Sequence, residues 1–143
     1  MRDPRRRSRL GFMPDLEARF RGKYVNLTSF KRDGTGVATP VWFVIEEGRL
    51  LVQTDGESFK VRRIRHNPHV TVAPCSASGR ARGAAVSATA EILETSELEH
   101  VRSLVGRKYR IDRIVILPIY WAAQRLRGRK TSGTEVALAI TPT

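Results

Sequence analysis

KYVNLTSFKRDGTGVATPVWFVIEEGRLLVQTDGESFKVRRIRHNPHVTVAP, from Lys23 to Pro74, sets the reading of the whole chain. Val25 to Lys31 alternates apolar and polar residues as a strand does, and Asp33-Gly34 is a turn signal. Val37 to Ile45 is a second strand, closed by Glu46-Glu47-Gly48, and Arg49 to Thr54 a third. Pro40 removes a ladder donor, so it belongs at a sheet edge or a bulge. Leu50-Leu51-Val52 is apolar on both faces, as expected of a barrel wall covered on its outside. Ser58 to His66 then changes period. Lys60, Arg62, Arg63 and Arg65 sit among Phe59, Val61 and Ile64, which predicts a short basic helix. Asn67-Pro68 ends it, because a residue before proline is pushed out of the helical region. His69 to Ala73 is the fourth strand.

Outward from this stretch the signals thin. Met1 to Arg9 carries five arginines and little to bury, so residues 1–9 read as a disordered basic arm and 10–143 as one domain. Leu10 to Phe20 is expected to be helical, with Phe12, Leu16 and Phe20 on one face. Ser76 to Gly83 is a polar loop. Ala84 to Leu93 alternates as a half-buried strand. Ser96 and Glu99 form a capping box, Leu98, Val101, Leu104 and Val105 line a helix face, and Gly106 is its expected stop. Arg107 to Lys130 reads as helical from Tyr109, kinked at Pro118, with a basic tip from Arg125 to Lys130. Thr134 to Thr141 closes the chain as a strand, with Val136, Leu138 and Ile140 on one face.

The 143 residues fit one domain, and 41% hydrophobic residues is ordinary for a globular core. The lone Cys75 excludes a disulfide framework and a four-cysteine zinc site, and His66, His69 and His100 lack metal-motif spacing. No secretory signal is legible, and Ile114 to Ala123 is too short to span a bilayer. A cytoplasmic protein is the expectation. The net charge of +12, from 26 Lys+Arg against 14 Asp+Glu, attracts polyanions. Composition does not choose among nucleic acid, an anionic membrane and an anionic small molecule, but zinc-finger and RNA-recognition motifs are absent. No nucleophile elbow or phosphate-binding glycine motif is present.

NLTSF at 26–30, ATPVWF at 38–43, the segment from Thr54 through Ser58 to Lys60, and VRRIRHNPHVTVAPC at 61–75 carry a resemblance. In order and spacing they are similar to the pyridoxamine-phosphate-oxidase-like split-barrel flavin-binding proteins, over about two thirds of the chain. They look closest to the actinobacterial branch that uses the deazaflavin coenzyme F-420. The resemblance implies a mainly β fold: a six-to-seven-stranded antiparallel split barrel with peripheral helices, forming a homodimer with sites at its interface.

It also implies a site. Thr54, Ser58 and Lys60 fall where the family holds the cofactor phosphate, and Arg63, one turn on, reaches toward the same anion. Such a helix start offers unpaired amides and a partial positive charge. Taken alone, Lys60 is an exposed lysine on a basic helix. Thr39, Pro40, Val41 and Trp42 match the backbone that meets the isoalloxazine edge, although Trp42 reads equally as a packed core aromatic. Ala73 and Pro74 line the other flank. The implied activity is hydride transfer between F-420 and a small organic acceptor, with no catalytic side chain selected among Tyr24, Tyr109 and Tyr120. Arg62, Arg65, Arg80 and Arg82 would join Lys60 and Arg63 in a basic channel for the cofactor's glutamate tail. The alternatives are a flavin mononucleotide protein of the same fold, or a non-enzymatic basic module binding nucleic acid or an acidic membrane. Tyr120-Trp121 and the 125–130 cluster would supply peripheral membrane contact.

Overall fold

The computed structural model describes residues 16–110 and 135–143. The basic arm, Phe12, and the segment holding Pro118, Tyr120, Trp121 and the 125–130 tip lie outside them. In chain order the elements are α1 (Leu16–Arg19), β1 (Tyr24–Phe30), β2 (Gly36–Trp42), β3 (Val44–Glu46), β4 (Arg49–Asp55), α2 (Phe59–His66), β5 (His69–Cys75), β6 (Val86–Ile92), α3 (Thr95–Lys108) and β7 (Glu135–Pro142). The seven strands form one antiparallel sheet in the order β2-β1-β5-β6-β7-β4-β3. Among the described residues no helix is long and apolar enough to cross a membrane.

The sheet has to curl. Its two edge strands, β2 and β3, are separated in sequence by Phe43 alone. The chain therefore passes from one edge of the sheet to the other within a single residue, and β2 also touches β4. The result is the expected mainly β split barrel. Pro40 lies on an edge strand, as its missing N–H requires.

Alternation fixes the faces. Val25, Leu27 and Ser29 of β1 are buried while their neighbours are half-buried. With Val41, Leu50, Val52, Val70, Val72, Leu138 and Ile140 they fill the interior, closed at one side by Leu16 and Phe20. Leu51, Ala137 and Ala139 face outward and are covered by Val101, Val105 and Tyr109 of and beside α3. The covered wall expected at residues 50–52 is thus present.

The turns follow their residues. Asp33 Oδ1 accepts the Thr35 N–H at 2.9 Å, and Gly34 takes φ +89°. Glu47 and Gly48 both adopt positive φ, 53° and 76°, between the paired Glu46 and Arg49, which is the two-residue turn suited to strand twist. Asn67 ends α2, its N–H donating to the Arg63 carbonyl at 2.8 Å.

Three expectations are corrected. Val37 to Ile45 is two strands, because Phe43 turns the chain between sheet edges. Its N–H donates to the Tyr109 hydroxyl at 3.0 Å, and its carbonyl accepts from Lys108 Nζ at 2.9 Å. Ser96 and Glu99 are not a capping box: α3 starts at Thr95 after Glu94, without a side-chain cap, and Glu99 pairs with Arg102 at 3.2 Å. Gly106 does not stop α3, which runs to Lys108 because Val105 and Tyr109 on its buried side continue to pack.

Candidate cofactor site

The end of β4 and the start of α2 are built around Asp55 and Ser58. Asp55 Oδ1 accepts the Glu57 N–H at 2.9 Å, and the Asp55 carbonyl accepts the Ser58 N–H at 3.1 Å. Ser58 is the N-cap, extended at φ −64°, ψ 154°, and its Oγ accepts the Val61 N–H at 3.4 Å. The amide of Phe59, the first helical residue, is used by neither capping bond, and helix geometry gives it no intrahelical acceptor. Thr54 and Lys60 are both half-buried on either side of this turn. Thr54 near the end of β4, Ser58 at the cap and Lys60 in the first turn of α2 are thus neighbours in sequence about one helix start, where the helix dipole is positive.

Arg63 does something else. Its Nε donates to Ser29 Oγ at 2.7 Å, and Ser29 is a fully buried polar residue of β1. Arg63 thereby docks α2 against the end of the barrel, helped by the buried Val61 and Ile64. Arg62 and Arg65 are exposed, and the Arg62 guanidinium lies 5.7 Å from the centroid of Phe59, itself 65% exposed.

The remaining candidates follow β2 away from α2. Thr39 and Val41 pair with Leu27 and Val25, so they share the interior face; Pro40 and Trp42 pair with Asn26 and Tyr24 on the outer face. Trp42 stacks on Tyr109, with centroids 4.5 Å apart and planes 7° from parallel. One ring face is therefore packed, which settles part of its reading. Tyr109 is fully buried. Its hydroxyl accepts from the Phe43 N–H and lies 2.7 Å from both the Phe43 and Lys23 carbonyl oxygens, donating to one at a time. That commitment removes Tyr109 as a proton donor.

Ala73 and Pro74 lie on β5 beside Asn26 and Val25. The loop that follows folds back over them. Asn26 Nδ2 donates to the Gly79 carbonyl at 2.7 Å, and the Arg82 N–H to the Pro74 carbonyl at 2.8 Å. A Cβ on Gly79 would lie 3.4 Å from Pro40 Cγ, and one on Gly83 only 2.7 Å from Pro74 Cγ. The loop thus touches Pro40 and Pro74. Val25 and Ser29, near its two ends, are four strand steps apart, about 14 Å. The loop meets β1 at Asn26 and Arg63 meets it at Ser29, so the loop and α2 contact different parts of the strand.

Two lysine and cysteine environments are perturbed. Lys108 is exposed along much of its length, yet its Nζ sits 3.6 Å from the Phe43 ring centroid, and desolvation lowers its pKa to about 8. Burial pushes the Cys75 thiol up, with nearby Arg82 opposing.

Sheet order, edge-strand Pro40 and the helix start after β4 define a small antiparallel split barrel. The chain belongs to the pyridoxamine 5'-phosphate oxidase family, whose model matches residues 16–142. Among solved structures it is similar to a putative pyridoxamine 5'-phosphate oxidase from Listeria innocua, with 18% identity, TM-score 0.59, and 94% and 93% of the two chains covered. It is also similar to the heme storage protein HutZ of Vibrio cholerae, with 14% identity, TM-score 0.60, and 91% and 89% covered. An F-420 reductase matches with 17% identity, TM-score 0.53, and 89% and 92% covered. At these identities the likeness shows the fold alone. No curated protein matches the sequence.

Proposed function

We propose that this protein is a coenzyme F-420-dependent oxidoreductase acting on a small organic acceptor as a homodimer. The observation that carries the reading is the capped start of α2 after β4. There Thr54, Ser58 and Lys60 offer two hydroxyls and an ammonium beside the positive end of a helix, the donor set an anionic phosphate needs. Strand β2 supports it further. As an edge strand it has backbone groups facing away from β1 that no ladder uses, and those would meet the flat edge of a cofactor ring along Thr39 to Trp42. Ala73 and Pro74 would close the opposite flank.

When bound, the deazaflavin supplies the hydride chemistry. This chain's residues bind and orient: the α2 start fixes the phosphate, β2 sets the depth of the ring, and the loop over Pro40 and Pro74 excludes water. A flavin mononucleotide protein is the second reading, favoured by family membership, since one phosphate would satisfy the same donors. Titration of the purified protein with F-420 and with flavin mononucleotide, at low salt, separates the two. The expected result is saturable F-420 binding, weakened by salt. Binding of flavin mononucleotide with none of F-420 would overturn the cofactor assignment.

A further inference from the structure

Helix α2 turns one side inward and the opposite side out. Val61 and Ile64 are buried. At about 3.6 residues per turn, Phe59, Arg62 and His66 fall on the stripe opposite them, and Arg65 flanks it; all four are exposed. Phe59 is a large apolar side chain left in water, and the Arg62 guanidinium sits over its ring, 5.7 Å from the centroid. The charge on this stripe is not neutralised locally. The helix sequence FKVRRIRH contains no acidic residue, and the nearest in sequence, Asp55 and Glu57, precede the cap. Among the described residues neither Arg62 nor Arg65 enters an ion pair. Arg63 turns aside to Ser29. That bond holds α2 against β1 just before the β1–β2 turn, where Lys31 and Arg32 are also exposed.

Charge and burial choose the partner. A second copy of this chain would set these cations against themselves, which like charges oppose. A membrane surface takes a helix with a broad apolar face, and α2 has already spent Val61 and Ile64 on the core, leaving one ring outside. A single-stranded nucleic acid uses both features, since its phosphates pair with arginine and its bases stack on an aromatic ring. A duplex keeps its bases inside the stack. We propose that the outward stripe of α2, with Phe59, Arg62 and Arg65, binds single-stranded nucleic acid without sequence preference. A base stacks on the Phe59–Arg62 pair, and Arg62 and Arg65 meet the adjoining phosphates with their planar forks of donors. This activity goes beyond the cofactor reading, which uses Thr54, Ser58 and the half-buried Lys60.

The test follows the fluorescence anisotropy of labelled oligouridylate and oligothymidylate, each about twelve nucleotides long, titrated with the full chain at several salt concentrations. Saturable binding that weakens with salt is expected, and the tighter of the two oligomers tells RNA from DNA as the source. Phe59→Ala should weaken binding at least about fivefold while leaving the salt slope unchanged, and Phe59→Tyr should restore it. Arg62→Ala and Arg65→Ala should each reduce the slope by about 0.7. Because these side chains are exposed, the variants should unfold thermally as the parent does. Polyglutamate and phosphatidylcholine–phosphatidylserine vesicles should bind far more weakly than either oligomer. No binding of either oligomer at low salt, polyglutamate or vesicles bound as tightly, or a Phe59→Ala variant with full affinity would overturn the proposal.

Discussion

Tyr109 is the residue on which the seam of the barrel depends. The chain crosses from one sheet edge to the other at Phe43, where neither ladder can use the backbone N–H, and the Tyr109 hydroxyl accepts it. Tyr109→Phe leaves that buried donor unpaired. The expected loss is about 1–3 kcal/mol in urea unfolding, with a change in tryptophan emission because Trp42 stacks on the same ring. A variant as stable as the parent would remove the lock. Lys108 beside it gives a pH signature. Its folded pKa of about 8 lies below its ordinary 10.5, so between those values the unfolded chain binds a proton that the native chain has released. Stability contributed by this group therefore rises with pH from about 8 to 10.5. Comparing unfolding free energies across that window should show the rise in the parent and its loss in Lys108→Met. An identical slope in both would contradict the desolvation of Nζ.

At the scale of elements, β4 and the loop after β5 make the clearest predictions. Leu51 faces outward yet is fully buried beneath α3. Leu51→Ala should cost about 2–5 kcal/mol, as large-to-small core changes do, and a change under 1 kcal/mol would mean α3 does not cover that wall. Gly79 sits at φ +88° with Asn26 and Pro40 at contact distance. Gly79→Ala is expected to destabilise by roughly 1 kcal/mol or more and to broaden the amide signals of 76–83. These elements also show what the sequence could and could not tell. The double-sided apolar run at 50–52, the Asn67-Pro68 stop and Pro40 at an edge were legible because each rests on local chemistry. The break at Phe43 was not: no glycine or proline marks it, and its cause, a tyrosine hydroxyl 66 residues away, leaves no local trace. The helix through Gly106 misled for the same reason, since packing under Val105 and Tyr109 outweighs the local cost of glycine. The position of Thr54, Ser58 and Lys60 about a helix start was readable from the sequence, whereas Arg63's bond to Ser29 and the loop's grip on Asn26 depend on contacts between distant segments.

At the scale of the whole molecule, the basic side chains of the described residues include a group on α2 (Lys60, Arg62, Arg63, Arg65) and a pair on the 76–83 loop (Arg80, Arg82). On the proposed reading the α2 group meets the anionic phosphate of the cofactor. The most direct test is F-420 affinity in Lys60→Ala, measured by fluorescence at low salt beside the parent and Arg82→Ala. Loss of a charge-assisted bond to phosphate is worth about 1.5–3 kcal/mol, so Lys60→Ala should weaken F-420 by about 10- to 100-fold while Arg82→Ala leaves it within twofold. Unchanged affinity in Lys60→Ala, with the protein folded, would contradict the placement of the cofactor phosphate at the start of α2.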